Sequence, residues 1–205
     1  ALGREGAPLQ SSPWDEVRDF FHYCDNYIDA IDRAAETYAQ KSQHPGDPEA
    51  TAVATLDRLG IRVTVAESAR VRGLDRAAGR LTLSTFAPAA TRRFQLLHQV
   101  ALLTQNELLE ATLDLARFQS GEARQIAKIG LANYFAGAAL LPYTRFLEAA
   151  RDARHDLERL SDSFGASIEQ VAHRLSTLQR PGAKGIPFFF VRVDQAGTIT
   201  KRHSA

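Results

Sequence analysis

The chain has 205 residues, 44% hydrophobic and 24% charged, with a net charge of +1. That is enough for one well-buried core, and the near-neutral balance excludes a whole-chain field that would by itself recruit nucleic acid or a membrane surface. A single cysteine, Cys24, rules out an internal disulfide and an all-cysteine cluster and fits a reducing compartment. No apolar run approaches the ~20 residues of a membrane span, and no signal-peptide pattern stands at the start. A cytoplasmic protein without membrane contact is expected.

Residues 1–12, ALGREGAPLQSS, have linker or tag-remnant composition, and one domain is expected over 13–205. Ser12-Pro13 opens a helical pattern that runs to Lys41, with Val17, Phe20, Phe21, Cys24, Tyr27, Ile28, Ile31 and Ala35 at three- and four-residue spacing. The sequence therefore predicts one long helix, and this helix is the expected dimer contact. HPGDP at 44–48 breaks the chain, and a short helix through Leu56 and Leu59 follows. IRVTVAE and GRLTLSTF alternate apolar with polar and are predicted to pair as an antiparallel hairpin across RGLDRAAG. Four arginines (Arg70, Arg72, Arg76 and Arg80) crowd that turn; a solvated hairpin tip is the expected reading, with a nucleic-acid contact as the functional alternative. From APAATRRF to about Leu178 the pattern is helical, and GIPFFFVRVDQAGTITKR returns to strands with DQAG as their turn. The fold class is α+β, mostly α.

Within the helical bulk, RRFQLLHQVALLTQNELLEA has the outline of a zinc-peptidase helix. Such a helix needs His-Glu-x-x-His: two imidazoles one turn apart hold the metal, and the glutamate activates the bound water. Here His98 is followed by Gln99, which cannot take a proton, and the second histidine position holds Leu102, which has no lone pair. One ligand does not hold zinc.

The later stretch GLANYFAGAALLPYTRFLEAA resembles the helix of ImmA/IrrE-type metallopeptidases, with Ala132, Asn133, Phe135, Ala136, Leu140, Leu141 and Pro142 in frame. Leu131 stands where that family carries its acidic ligand. The resemblance implies a degenerate zincin scaffold with no catalytic and no metal-binding residue. PWDEVRDFFHYCDNYIDAIDRAAE, DLERLSDSFGASIEQVAHRLSTLQRPG and PFFFVRVDQAGTITKRHSA further resemble the effector domain of actinobacterial short-chain fatty-acyl regulators of the XRE type, which act on propionate and acetate/glyoxylate metabolism. This resemblance covers about 13–205. It implies a sensor for coenzyme A or a short-chain acyl-coenzyme A, and a homodimer. Promoter DNA would be read only by a preceding helix-turn-helix domain that this sequence lacks, and an iron–sulfur cluster held only by a following cysteine-bearing segment.

A coenzyme A site needs cations for phosphate and a narrow apolar channel. Phe94, Leu97, His98, Leu102, Leu131, Tyr134 and Phe135 are expected to line the channel, with Tyr27 of the aromatic first helix covering it. Arg174 is the preferred phosphate anchor, with an ion pair to Asp156 or Glu158 as its plainer reading; Arg192 is a weaker candidate. Residues 155–178 also have the layout of a DNA-reading helix pair, but Glu169 near the start of the second helix would repel phosphate. An active hydrolase would need a metal site elsewhere, and His22, His44, His155, His173 and His203 show no ligand pairing.

Overall fold

A computed structural model describes residues 12–193 and the backbone of 199–204. The first helix, α1 (Pro13–Tyr23), starts at a capping box in which Ser12 and Asp15 satisfy each other's backbone N–H groups, with Pro at the first turn. It does not continue into α2 (Asp29–Gln40). Asp25 and Asn26 both take left-handed backbone angles, φ 51° and 55°, and the Asn26 N–H donates back to the Phe21 carbonyl. Two such residues in succession end a helix, and Asp and Asn are the side chains that tolerate the conformation. The single long helix predicted over 13–41 is therefore two.

After α3 (Pro48–Arg58) come β1 (Arg62–Ala66), β2 (Arg72–Asp75) and β3 (Arg80–Ser84), in the order β1-β3-β2. The hairpin is formed by β2 and β3, antiparallel from Arg72 opposite Leu83 to Asp75 opposite Arg80. β1 lies parallel on the other side of β3, from Arg62 opposite Arg80 to Ala66 opposite Ser84. Thus the predicted partners meet, but not as a hairpin, because the presumed turn contains a strand of its own. A tight turn follows β2: Asp75 Oδ1 accepts the Ala78 N–H at 2.9 Å, and Gly79 closes the turn at φ 57°.

The helical bulk is α4 (Ala89–Thr104), α5 (Asn106–Ala116), α6 (Gly121–Leu140), α7 (Tyr143–Asp152), α8 (Leu157–Phe164) and α9 (Ile168–Ser176). α6 runs through the centre and touches α1, α2, α4, α5 and α9. Small residues let its neighbours come close. Ala123, Ala127, Ala132, Ala136 and Ala139 are buried, and a Cβ at Gly130 would stand 3.0 Å from the Phe21 ring. β4 (Phe189–Val193) and β5 (Ile199–Ser204) pair antiparallel near the end of the chain, and the predicted DQAG turn between them lies outside the described residues. The architecture is α+β and mostly helical, as the pattern predicts.

Gly79 and Gly182 both have positive φ, but only at Gly79 would a Cβ meet backbone, the Gly60 carbonyl oxygen at 2.6 Å. Gly182→Ala should cost only the left-handed strain, about 1–2 kcal/mol. Gly79→Ala should cost more, since the β2–β3 turn must also separate from the start of β1. Urea midpoints of the two variants test the difference.

Candidate functional site

α4 and α6 bring the remains of the metal motif together. His98 is buried, and its Nδ1 lies 2.7 Å from Asn133 Oδ1, which accepts the ring N–H. Leu131 is fully enclosed, and Phe94 and Leu102 are half-buried against the core. No group of three His, Cys, Asp or Glu side chains able to hold a metal exists among the described residues. The donor set here, one imidazole already tied to an amide, does not fit zinc. Burial, with the nearby Arg72 charge adding to it, pushes the His98 imidazole down to about 4 against the opposing hydrogen bond from Asn133.

The polar centre of the molecule lies elsewhere, at Asp32 on α2. This carboxylate is wholly buried. Its Oδ2 accepts from Arg174 Nη1 at 2.6 Å and from the Tyr134 hydroxyl at 2.7 Å. Its Oδ1 accepts from Arg180 Nη2 at 3.1 Å and Arg174 Nη2 at 3.2 Å. Arg174 Nε spends its remaining donor on the Leu141 carbonyl. One turn along α2, Glu36 pairs with Arg180 Nη2 at 2.9 Å and accepts the Thr144 N–H at 2.8 Å. The Tyr27 hydroxyl accepts from Arg180 Nε, and the Tyr143 ring lies beneath both guanidiniums, at 4.0 Å from Arg180 and 5.4 Å from Arg174. Two carboxylates thus meet two guanidiniums in a closed, charge-balanced network. Burial would raise the Glu36 carboxyl, but the Thr144 and Arg180 bonds outweigh it and hold it below its ordinary value. Burial first, and then the Asp32 charge, drive the Tyr134 hydroxyl well above its own, so it stays a donor.

This geometry redistributes the predicted site residues. Tyr27, Tyr134 and Arg174 do come together, but around Asp32 rather than around an open channel. Every Arg174 nitrogen has a protein acceptor, and it is neither free to grip phosphate nor paired with Asp156 or Glu158. His98, Leu131, Phe94 and Leu102 share the α4–α6 layer. Arg192 is remote on β4, exposed, and 3.2 Å from Glu169. Sequence reasoning missed Asp32, Glu36, Arg180 and Tyr143. The available signal was the pair of acids four apart beside the Ile31–Ala35 stripe. Like charges at that spacing repel unless cations answer them.

A groove of about 940 Å³ opens on the other side of Glu36. The segment 44–53, the N-terminal half of α4, the α6–α7 junction and the end of α8 form its walls. Leu97, the neighbour of His98, lines it, as do Arg93 and Arg145. Arg93 is held by the Gly165 carbonyl and by Glu49 at 3.5 Å. Arg145 instead lies over the Phe164 ring, 5.1 Å from its centre.

Comparison with known proteins agrees with this scaffold. The model of the IrrE N-terminal-like domain matches residues 56–176. The chain belongs to that family. Beyond this IrrE-like region, residues 177–205 match the model described as short-chain fatty acyl coenzyme A regulator, C-terminal. A propionyl-CoA carboxylase regulator of Cereibacter sphaeroides is 70% identical over all 205 residues. From Mycobacterium tuberculosis, the HTH-type transcriptional regulators RamB and PrpR are 41% and 42% identical over 94% and 97% of the chain. The chain spans 44%, 42% and 42% of these three proteins' lengths. A solved Mycobacterium tuberculosis transcriptional regulator superposes with a TM-score of 0.89 at 41% identity, covering 95% of this chain and 60% of that one. These relatives of the IrrE-like chain are named regulators, not enzymes, which accords with the lost base and ligands.

Asp32→Asn leaves two buried guanidiniums short of their counter-charge and should cost about 3–5 kcal/mol. Asp114→Asn, which removes an exposed partner of Arg124, should leave the urea midpoint nearly unchanged. His98 supplies a pH test. Its folded value of about 4 lies below the ordinary 6.5, so the unfolded chain takes up the proton first as pH falls. Stability is full above pH 6.5 and is lost progressively down to about 4. Between pH 7 and 5, therefore, the urea midpoint of the parent should fall more steeply than that of His98→Gln.

Proposed function

We propose that this chain is the effector-binding part of a transcriptional regulator and that it takes a short-chain acyl-coenzyme A in the groove bounded by α4 and α7. The observation that carries the reading is Arg145. Its guanidinium stacks on Phe164 within a groove of about 940 Å³ and has no carboxylate partner among the described residues. A cation beside an aromatic face is what a phosphorylated adenine nucleotide requires, and the volume falls in the range of cofactor sites. Leu97 and Leu140 supply apolar wall. The match of residues 177–205 to a short-chain fatty acyl coenzyme A regulator model supports the ligand class, and the relatives' names support the regulatory setting.

The phosphate contact then falls to Arg145 and not to Arg174; Arg174 and Tyr134 hold Asp32, and Arg180, braced by Asp32 and Tyr27, fixes Glu36, which also borders the groove. Assembly as a twofold dimer is part of the same reading. DNA contact through α8 and α9 finds little support: the one arginine on α9 is buried against Asp32, and Glu169 is ion-paired with Arg192.

Calorimetry with acetyl-, propionyl- and longer acyl-coenzyme A tests this. Parent protein should bind without turnover, and Arg145→Ala should bind roughly tenfold or more weakly, with Arg145→Lys recovering part. Flat titrations of ligand-free parent with every thioester would reject the ligand class; undiminished binding by Arg145→Ala would reject the placement.

A further inference from the structure

Arg72 is the one arginine of the predicted tip that is not turned to solvent. The strand register settles which way it faces. Arg72 stands opposite Leu83, and Leu74 opposite Leu81, so it shares the sheet face of two buried leucines, whereas Asp75 and Arg80 stand on the other. That inner face is the side on which β3 meets α4. Arg72 is half-buried, and its Nη1 is the one buried side-chain nitrogen or oxygen without a hydrogen-bond partner among the described residues. No carboxylate answers it among the described residues: α4 contains neither Asp nor Glu, and burial is the one influence on its proton affinity there. Its charge reaches His98, and burial alone lowers its own proton affinity with no acid opposing. A guanidinium nitrogen buried without an acceptor is costly to a fold, and the planar fork matches two-oxygen acceptors.

We infer that Arg72 receives a compact oxyanion, a carboxylate or a phosphate, on the inner face of the sheet beside His98. This site is separate from the groove lined by Arg145 and does not depend on that assignment. The oxyanion supplies the acceptor that Nη1 lacks, and His98, held neutral, does not compete for it.

The test follows the Arg72 Nε resonance of the parent by NMR and the melting temperature of parent and Arg72→Met. Sodium acetate, sodium propionate and inorganic phosphate are titrated, with sodium chloride at matched ionic strength as control. The resonance should shift saturably with an oxyanion and not with chloride. The parent's melting temperature should rise in step, and Arg72→Met should lose roughly tenfold or more in apparent affinity. In chloride alone, Arg72→Met should be at least as stable as the parent, because an unanswered buried donor has been removed. A response to phosphate alone or to the carboxylates alone identifies the source. Parent and variant responding alike, or a variant less stable in chloride with no oxyanion effect in the parent, would overturn the site. Should Arg72→Met not fold, the parent resonance decides alone, and no shift with any of the three anions rejects the inference.

Discussion

The Asp32 carboxylate sits at a place from which water is excluded, and four separate parts of the chain supply what keeps it there. Arg174 comes from α9, Arg180 from the segment after it, Tyr134 from α6 and the Ile28 N–H, through the Tyr134 oxygen, from the turn before α2. Desolvating such a set is expensive, and attraction repays it only where the geometry leaves few donors idle. Here the carboxylate oxygens are each used twice, Arg174 fills its own remaining valence with Leu141, and the Tyr143 ring closes the cluster from below. Because Glu36 belongs to the same cluster and to the groove wall, the groove's shape follows from this charge balance.

The former peptidase frame shows what replaces a metal when its ligands are lost. Leucines fill two of the ligand positions, the surviving imidazole turns to Asn133, and the packing of α4 on α6 becomes an ordinary apolar layer. A positive charge nevertheless remains near His98, now on Arg72 of the overlying sheet. The scaffold keeps the IrrE-like shape without a set of side chains, among the described residues, that could hold a metal.

Much of the fold was legible in the residues. Three-four periodicity and the Ser12-Pro13 start mark the helices, and alternation marks β1 and β3. What was not legible depended on competition between neighbours. Cys24–Tyr27 continues the apolar stripe of a helix, yet Asp25 and Asn26 break it, their left-handed backbone separating two helices that each pack on α6. RGLDRAAG looked like a turn because its strand is only four residues long and glycine-containing. The site was harder still. An arginine on the inner side of a helix can grip a ligand or a buried acid, and its own surroundings do not distinguish the two. The answer for Arg174 lies 142 residues away.

That separation has a consequence for how the molecule reaches and keeps its shape. Closing a loop of 142 residues to bring Arg174 to Asp32 costs chain entropy, and the charges gain nothing from meeting until the surrounding helices have expelled water. A contact of this separation is expected to form late, after the helices that surround it have packed. Its loss is then felt as faster unfolding far more than as slower folding. On that expectation Asp32 acts as a latch, setting the lifetime of the folded chain more than the rate at which it is reached.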